Sequence, residues 1–146
     1  MTTQPALVAD AVAWLQQALP WPVIARFCLV GMFPFSALDK ALHWKDAVAQ
    51  AGSSIVPAAF APLLLVLGGA LEIVAPVCIV AGWWAEPMAF LLAAYCAVTA
   101  LLFHPFWASG DFWKQGASVG RAHFWDFTKN FGLVGGLLLV AIGRGF

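Results

Sequence analysis

The chain has 146 residues, of which 63% are hydrophobic and 10% are charged, and its formal net charge is zero. Soluble domains carry about 25% charged residues, so the composition excludes a soluble globular protein and predicts an integral membrane protein surrounded by lipid. The zero net charge also argues against a nucleic-acid partner, which would require a basic surface.

The N-terminal residues 1–19 contain no Lys or Arg, so they lack the basic region that opens a cleavable signal peptide. We expect them to form a short helix lying on the membrane surface. Its apolar side would contain Ala6, Leu7, Val8, Ala11, Trp14, Leu15 and Ala18.

Four later segments are apolar over the length that a helix needs to cross a bilayer. These predicted spans are residues 20–38, 63–82, 87–106 and 127–142. Pro34 is expected to bend the first span, and Pro87 suits the first turn of the third. Residues 1–146 are therefore predicted to form one domain, an all-α bundle of four transmembrane helices.

Two long loops, residues 39–57 and 108–126, lie on the same side of such a bundle and carry most of its polar residues. The only base near the C-terminus is Arg144, and the short connection 83–86 has none. By the positive-inside rule, both loops are predicted to be cytoplasmic. The expected location is the bacterial inner membrane.

Glu72 is the only ionisable residue in the second span. A carboxylate near the middle of a bilayer is costly, so such a residue is a functional-site hypothesis. Gly68, Gly69, Ala75 and Pro76 surround it at helical spacing, and small residues allow close helix contacts. We therefore expect Glu72 to face the other helices and the Leu, Ile and Val residues to face lipid.

Arg26 in the first span is predicted to reach a depth similar to that of Glu72, so the two could pair. Such a pair could be a buried salt bridge that fixes helix packing. It could equally be a proton or ligand site, since burial and a neighbouring charge shift a carboxyl pKa in opposite directions.

A second polar group is predicted near the membrane face that carries the long loops. It contains Lys40, His104, Lys129 and Asn130, contributed by three helices. The alternative is that these residues form no site: Lys40 would extend to lipid headgroups, and the other three would be the polar residues usual at helix ends. His104 also falls about half a turn around the third helix from Tyr95 and Thr99, which share one face.

Other patterns in the chain favour structural roles. Gly132 and Gly136 form a GxxxG step, which predicts a close helix contact. Cys28, Cys78 and Cys96 have no metal-ligand spacing and are expected to be buried free thiols, although the three could cluster. The spans contain no paired-His haem pattern, and the chain shows no CxxC motif or dinucleotide fingerprint.

Several of these features, taken in order, resemble the DoxX family of small four-helix membrane proteins. The likeness extends over about residues 24–139. It is carried by Arg26, Asp39-Lys40, Gly69-Ala70-Leu71-Glu72, Gly82, Phe103-His104-Pro105-Phe106-Trp107, Lys129-Asn130 and Gly135-Gly136-Leu137-Leu138.

The resemblance implies a membrane subunit associated with quinone-linked redox chemistry, of the thiosulfate:quinone oxidoreductase or quinol oxidase type. A diffusible quinone or a redox partner subunit would then carry the electrons. The candidate quinone or polar-core residues are Arg26, Glu72, Lys40, His104, Lys129 and Asn130. Two alternatives stay open: a non-catalytic anchor or assembly subunit for a soluble redox enzyme, and a small transporter that would need to be a homo-oligomer.

Overall fold

The computed structural model describes residues 4–53 and 57–143, without the side chains of residues 4–7 and 16. Within these ranges the chain is all-α, as predicted, and contains no β-strand. The helices are α1 (Gln4–Ala18), α2 (Trp21–Val30), α3 (Met32–Leu42), α4 (Trp44–Gly52), α5 (Ala61–Ala81), α6 (Ala85–Phe103) and α7 (Val119–Ala141).

The long helices pack as a four-helix bundle. Helices α2 and α3 follow each other as one interrupted rod and pack on α5, α5 packs on α6, α6 packs on α7, and α7 returns to α2. The core between them is apolar, and its largest fully buried side chains are Val30, Ile79, Leu92, Cys96 and Leu137. Outside the bundle, the described side chains of α1 are exposed throughout.

Among the described residues, three segments are long and apolar enough to cross a membrane: Trp21–Leu42, Ala58–Ala81 and Ala85–Ala108. They contain the first three predicted spans almost entirely. The fourth predicted span lies within α7 except for its last residue. Helix α7 has 23 residues but carries Asp126, Lys129 and Asn130 before its apolar C-terminal part. Its crossing of the bilayer stays a prediction.

The first rod is interrupted at Gly31, one turn before Pro34. Proline has no N–H, so Pro34 cannot bond to the carbonyl of Val30, and the regular helix ends at that residue. The interruption therefore lies on the N-terminal side of Pro34, and the bend itself stays a prediction.

Both predicted loops are shorter than expected because helices enter them. Helix α3 continues to Leu42, and α4 follows within the predicted loop 39–57 and packs on α5. The predicted loop 108–126 ends at Ser118, whose hydroxyl accepts a hydrogen bond from Arg121 N and caps α7. Residues 54–56 and Arg144 lie outside the described residues, and the cytoplasmic assignment of these loops stays a prediction.

The connection before α7 is anchored to the start of that helix. Both carboxylate oxygens of Asp111 accept hydrogen bonds, from Val119 N and Gly120 N, each at 2.8 Å. The N–H of Gly120 contributes most to holding the pKa of the Asp111 carboxyl below its usual value. The Arg121 guanidinium donates to the carbonyls of Phe112, Lys114 and Gly116. These hydrogen bonds attach the connection to the first turn of α7.

The predicted GxxxG contact is correct for one of its two glycines. A Cβ at Gly136 would lie 2.7 Å from Leu29 Cδ1, so α7 approaches α2 closely there. Gly132 has open space beside it and is exposed, so the prediction is wrong at this position.

Candidate ligand-binding site

Helix α5 turns most of the predicted small residues inward and most of its large aliphatic residues outward, but the prediction is wrong for Gly69, which has open space beside it. Gly68, Ala75 and Pro76 are buried between helices, and Glu72 is only 2% exposed. The outward face contains Leu63, Leu64, Val66, Leu67, Ile73, Val74 and Val77. The packing therefore delivers one carboxylate into the interior of the bundle.

Glu72 belongs to a polar cluster formed by Ser36, Lys40, Glu72 and Tyr95, which come from three helices. Lys40 Nζ lies 2.6 Å from Glu72 Oε1 and donates to Ser36 Oγ at 3.0 Å. Tyr95 donates its hydroxyl proton to the same Glu72 oxygen at 3.0 Å, and Ser36 lies at 3.4 Å. Three donors thus converge on one carboxylate oxygen.

The other carboxylate oxygen of Glu72 has a different environment. Oε2 is buried and has no hydrogen-bond partner among the described residues. A buried carboxylate oxygen without a partner costs free energy, and such an atom in a native structure is explained by a water, an ion or a ligand. Oε2 is therefore the acceptor that the cluster leaves available.

Arg26 does not pair with Glu72, so that prediction is wrong. Glu72 is paired with Lys40 instead, and Arg26 Nη1 lies 3.3 Å from the position that a Cβ of Gly82 would occupy. Gly82 ends α5 in the left-handed conformation, about 15 Å beyond Glu72 at about 1.5 Å per residue. Since α2 and α5 run in opposite directions, the start of α2 meets the far end of α5.

The polar cluster lines a cavity of about 230 Å³, which we call the polar cavity. His104 and Asn130 line it as well, so four of the six candidate residues meet here. Helix α4 contributes Gln50 and Ala51 to the same wall, on the side of the long loops. The cavity can hold several water molecules or one small ring, since a water needs only about 10–15 Å³ by this measure.

His104 faces the same cavity as Tyr95 and Thr99, although the helical projection predicted otherwise. Helix α6 ends at Phe103, and His104 has a non-helical backbone (φ −124°, ψ 56°), so the projection does not extend to it. Its Nδ1 lies 3.4 Å from Nδ1 of His123 on α7. His123 was not among the predicted site residues.

Lys129 lies in an adjoining cavity of about 550 Å³, which we call the outer cavity. Lys129 Nζ lies 3.3 Å from Asp126 Oδ1, and this ion pair is well exposed. His104, Asn130 and Met32 line both the outer cavity and the polar cavity. The predicted group of Lys40, His104, Lys129 and Asn130 therefore spans two neighbouring cavities.

An apolar groove of about 300 Å³ runs between α5 and α6 beside the polar cavity. Tyr95, Thr99 and Phe103 line both spaces. The rest of the groove is largely aliphatic, with Leu64, Leu65, Leu67, Leu71, Val98 and Leu102. Several of these side chains are exposed on the outside of the bundle, so the groove opens toward the surrounding lipid and lies beside the polar cavity.

The prediction of buried free thiols is correct for two of the three cysteines and wrong for Cys28. The three cysteines are free; Cys78 and Cys96 are buried, whereas Cys28 is exposed. In the described part of the chain, no group of three or more His, Cys, Asp or Glu side chains could hold a metal ion.

Two members of the polar cluster, Ser36 and Tyr95, were missed by sequence reasoning. Ser36 precedes Lys40 by one helical turn, so it shares a face with that lysine. Tyr95 is the only tyrosine in the chain and sits in the middle of a span. Both features can be seen in the sequence, but neither identifies Glu72 as the residue that Ser36 and Tyr95 both contact.

Fold and site together define a class: a helical membrane protein with a buried ion pair beside a cavity and an apolar groove. A model of the DoxX family matches residues 21–105, more than half of the chain. Inner membrane protein YphA of Escherichia coli (strain K12) is 28% identical over 120 residues, covering 82% of this chain and 80% of that protein. No solved structure gives a significant match.

The chain therefore belongs to the DoxX family and is a multi-pass membrane protein. The family match includes Lys40, Glu72, Tyr95 and His104 and ends before α7.

Proposed function

We propose that this protein is a quinone-binding membrane subunit of an oxidoreductase. The observation that carries the proposal is that the polar cavity and the apolar groove lie side by side and share Tyr95 as a lining residue. A quinone has the same two parts, a polar ring with two oxygens and an isoprenoid tail. The polar cavity matches the ring, and the groove matches the tail.

The chemistry of the polar cluster suits both redox forms of such a ligand. Lys40 has three N–H donors, and Tyr95 and Ser36 each have a hydroxyl, so all three can donate to a quinone carbonyl. Glu72 Oε2 can accept a hydrogen bond from a quinol hydroxyl. A bound quinone would supply two-electron, two-proton redox chemistry, while these residues would orient the ring and exchange protons with it.

Ligand access from the membrane is consistent with the packing. The groove opens between α5 and α6, where Leu64, Leu67 and Val98 are exposed to the surroundings of the bundle. Helix α4 covers the polar cavity on the side of the long loops. An apolar tail therefore has a route from lipid, and a redox partner subunit would dock on the loops.

The single tyrosine makes a direct test available. We would replace Tyr95 with 3-fluorotyrosine, embed the protein in lipid nanodiscs, and record its one fluorine resonance while titrating a prenylated benzoquinone. The resonance should shift saturably, and Glu72→Gln should weaken the binding. Glu86→Gln, at the opposite end of α6, is the matched control and should bind as the parent does.

A resonance that does not respond to the quinone, in protein that is folded, would contradict this function. It would favour the non-catalytic anchor, in which the polar cluster only fixes helix packing.

A further inference from the structure

His104 and His123 form a contact that the quinone site itself does not use. Their Nδ1 atoms are 3.4 Å apart and their ring centroids 5.6 Å apart. One Nδ1 must carry a proton and the other must not, because two donors or two acceptors would face each other otherwise. The contact is therefore a hydrogen bond whose proton belongs to one ring or to the other.

The position of His104 connects a buried space with an exposed one. It lines the polar cavity together with Glu72, Lys40 and Tyr95, and it lines the outer cavity together with Asp126 and Lys129. Asp126 is 46% exposed in its side chain and Lys129 is 73% exposed. A proton that reaches the outer cavity from outside the bundle thus meets an imidazole before the buried carboxylate.

We propose that His104, which contacts His123 through Nδ1, passes protons between the outer cavity and Glu72. Imidazole is suited to this role because it titrates near neutral pH and can take up a proton on one nitrogen while releasing one from the other. Water in the polar cavity would complete the path to Glu72. The charged and titratable groups around the relay are Asp126 and Lys129 in the outer cavity, and Lys40, Glu72, Tyr95 and Cys96 in the polar cavity.

The inference deepens the proposed function, because a quinone needs two protons for each conversion to a quinol. Its test requires no quinone, so the two can fail independently. Protons would be released by a light flash from a caged acid, and the carbonyl band of protonated Glu72 would be followed by time-resolved infrared spectroscopy. The band is assigned by its loss in Glu72→Gln.

We expect His104→Asn and His123→Asn to slow the rise of this band by about tenfold or more, since a positioned acid–base group typically contributes at least that factor. The final amplitude should not change, and added imidazole should restore part of the rate in His104→Asn. His43→Asn is the control, because His43 is exposed and paired with Asp39 on α3.

Rates that are equal in the parent and in both relay variants would overturn the proposal. So would a parent protein in which no Glu72-dependent band rises after the flash. A slower rise that imidazole does not restore would indicate a structural effect and would also contradict the relay.

Discussion

Lys40 Nζ lies 2.6 Å from Glu72 Oε1, across the contact between α3 and α5. The lysine is 30% exposed in its side chain and the glutamate 3%, so the pair joins a buried carboxylate to a base nearer the loop side. This pair organises the polar cavity. It compensates the charge of Glu72 while leaving Oε2 without a partner among the described residues.

The first prediction concerns this pair. Lys40→Met leaves the buried Glu72 carboxylate without its counter-ion, which should lower the free energy of unfolding by about 3–5 kcal/mol. Adding Glu72→Gln to the Lys40→Met variant should recover most of that loss in stability. Unfolding in mixed micelles with increasing SDS would measure both variants.

Lys129→Met is the matched control for the ion pair. The Lys129–Asp126 pair is exposed, so its loss should cost no more than about 1 kcal/mol. Equal stability losses in Lys40→Met and Lys129→Met would show that the buried pair contributes no more to stability than the exposed one.

The second prediction concerns the room that α5 leaves for Tyr95. A Cβ at Gly68 would lie 3.1 Å from both Cε2 and Oη of Tyr95, so Gly68→Ala should displace the ring and weaken its hydrogen bond to Glu72. Gly69 has open space beside it, so Gly69→Ala is a control one residue away. The fluorine resonance of 3-fluorotyrosine should shift in the first variant and stay unchanged in the second. Matching shifts in the two variants would argue against this packing.

The third prediction concerns the apolar groove. Leu102 lines the groove, whereas its neighbour Leu101 is exposed and does not line it. Leu102→Trp should fill the space for a tail and weaken binding of a long-tailed quinone by about tenfold, or about 1.4 kcal/mol. Leu101→Trp should not. If a tailless quinone loses as much affinity in Leu102→Trp, the groove does not hold the tail.

The fourth prediction concerns acid stability. Because the N–H of Gly120 lowers the pKa of Asp111 in the folded protein, the carboxylate stabilises the start of α7 at neutral pH. That contribution is lost as the pH falls below the usual value of 3.8 toward the lower folded pKa. Asp111→Asn should therefore lower the melting temperature at neutral pH and flatten its decline in acid. Asp10→Asn, on the exposed α1, is the control and should have the same dependence of melting temperature on pH as the parent. The same dependence in Asp111→Asn would contradict the prediction.

The sequence predicted the features that depend on local pattern. Continuous apolar stretches marked three spans, and the small residues around Glu72 correctly indicated its inward direction. The pairing of Glu72 could not be predicted in the same way, since it depends on relative helix depth. Helix α3 extends to Leu42 rather than residue 38, which brings Lys40 onto a helix face beside α5, while Arg26 lies at the other end.

His104 illustrates a second limit. Its direction was extrapolated from a helix that ends one residue earlier, and the loop geometry turned it toward Tyr95 instead. The two cavities arise from packing among α3, α4, α5, α6 and α7. Their lining residues are far apart in the sequence, so no local pattern predicts which of them meet.

The most direct test of the quinone site is photo-crosslinking with a benzoquinone that carries an aryl azide, followed by mass spectrometric mapping. Labelling should concentrate on the residues of α5 and α6 that line the polar cavity and the groove, around Glu72, Tyr95 and Leu102. Excess unlabelled quinone should suppress it, and Glu72→Gln should reduce it. Labelling that competitor does not suppress, spread over outward residues such as Val77 and Phe90, would contradict a quinone site in this bundle.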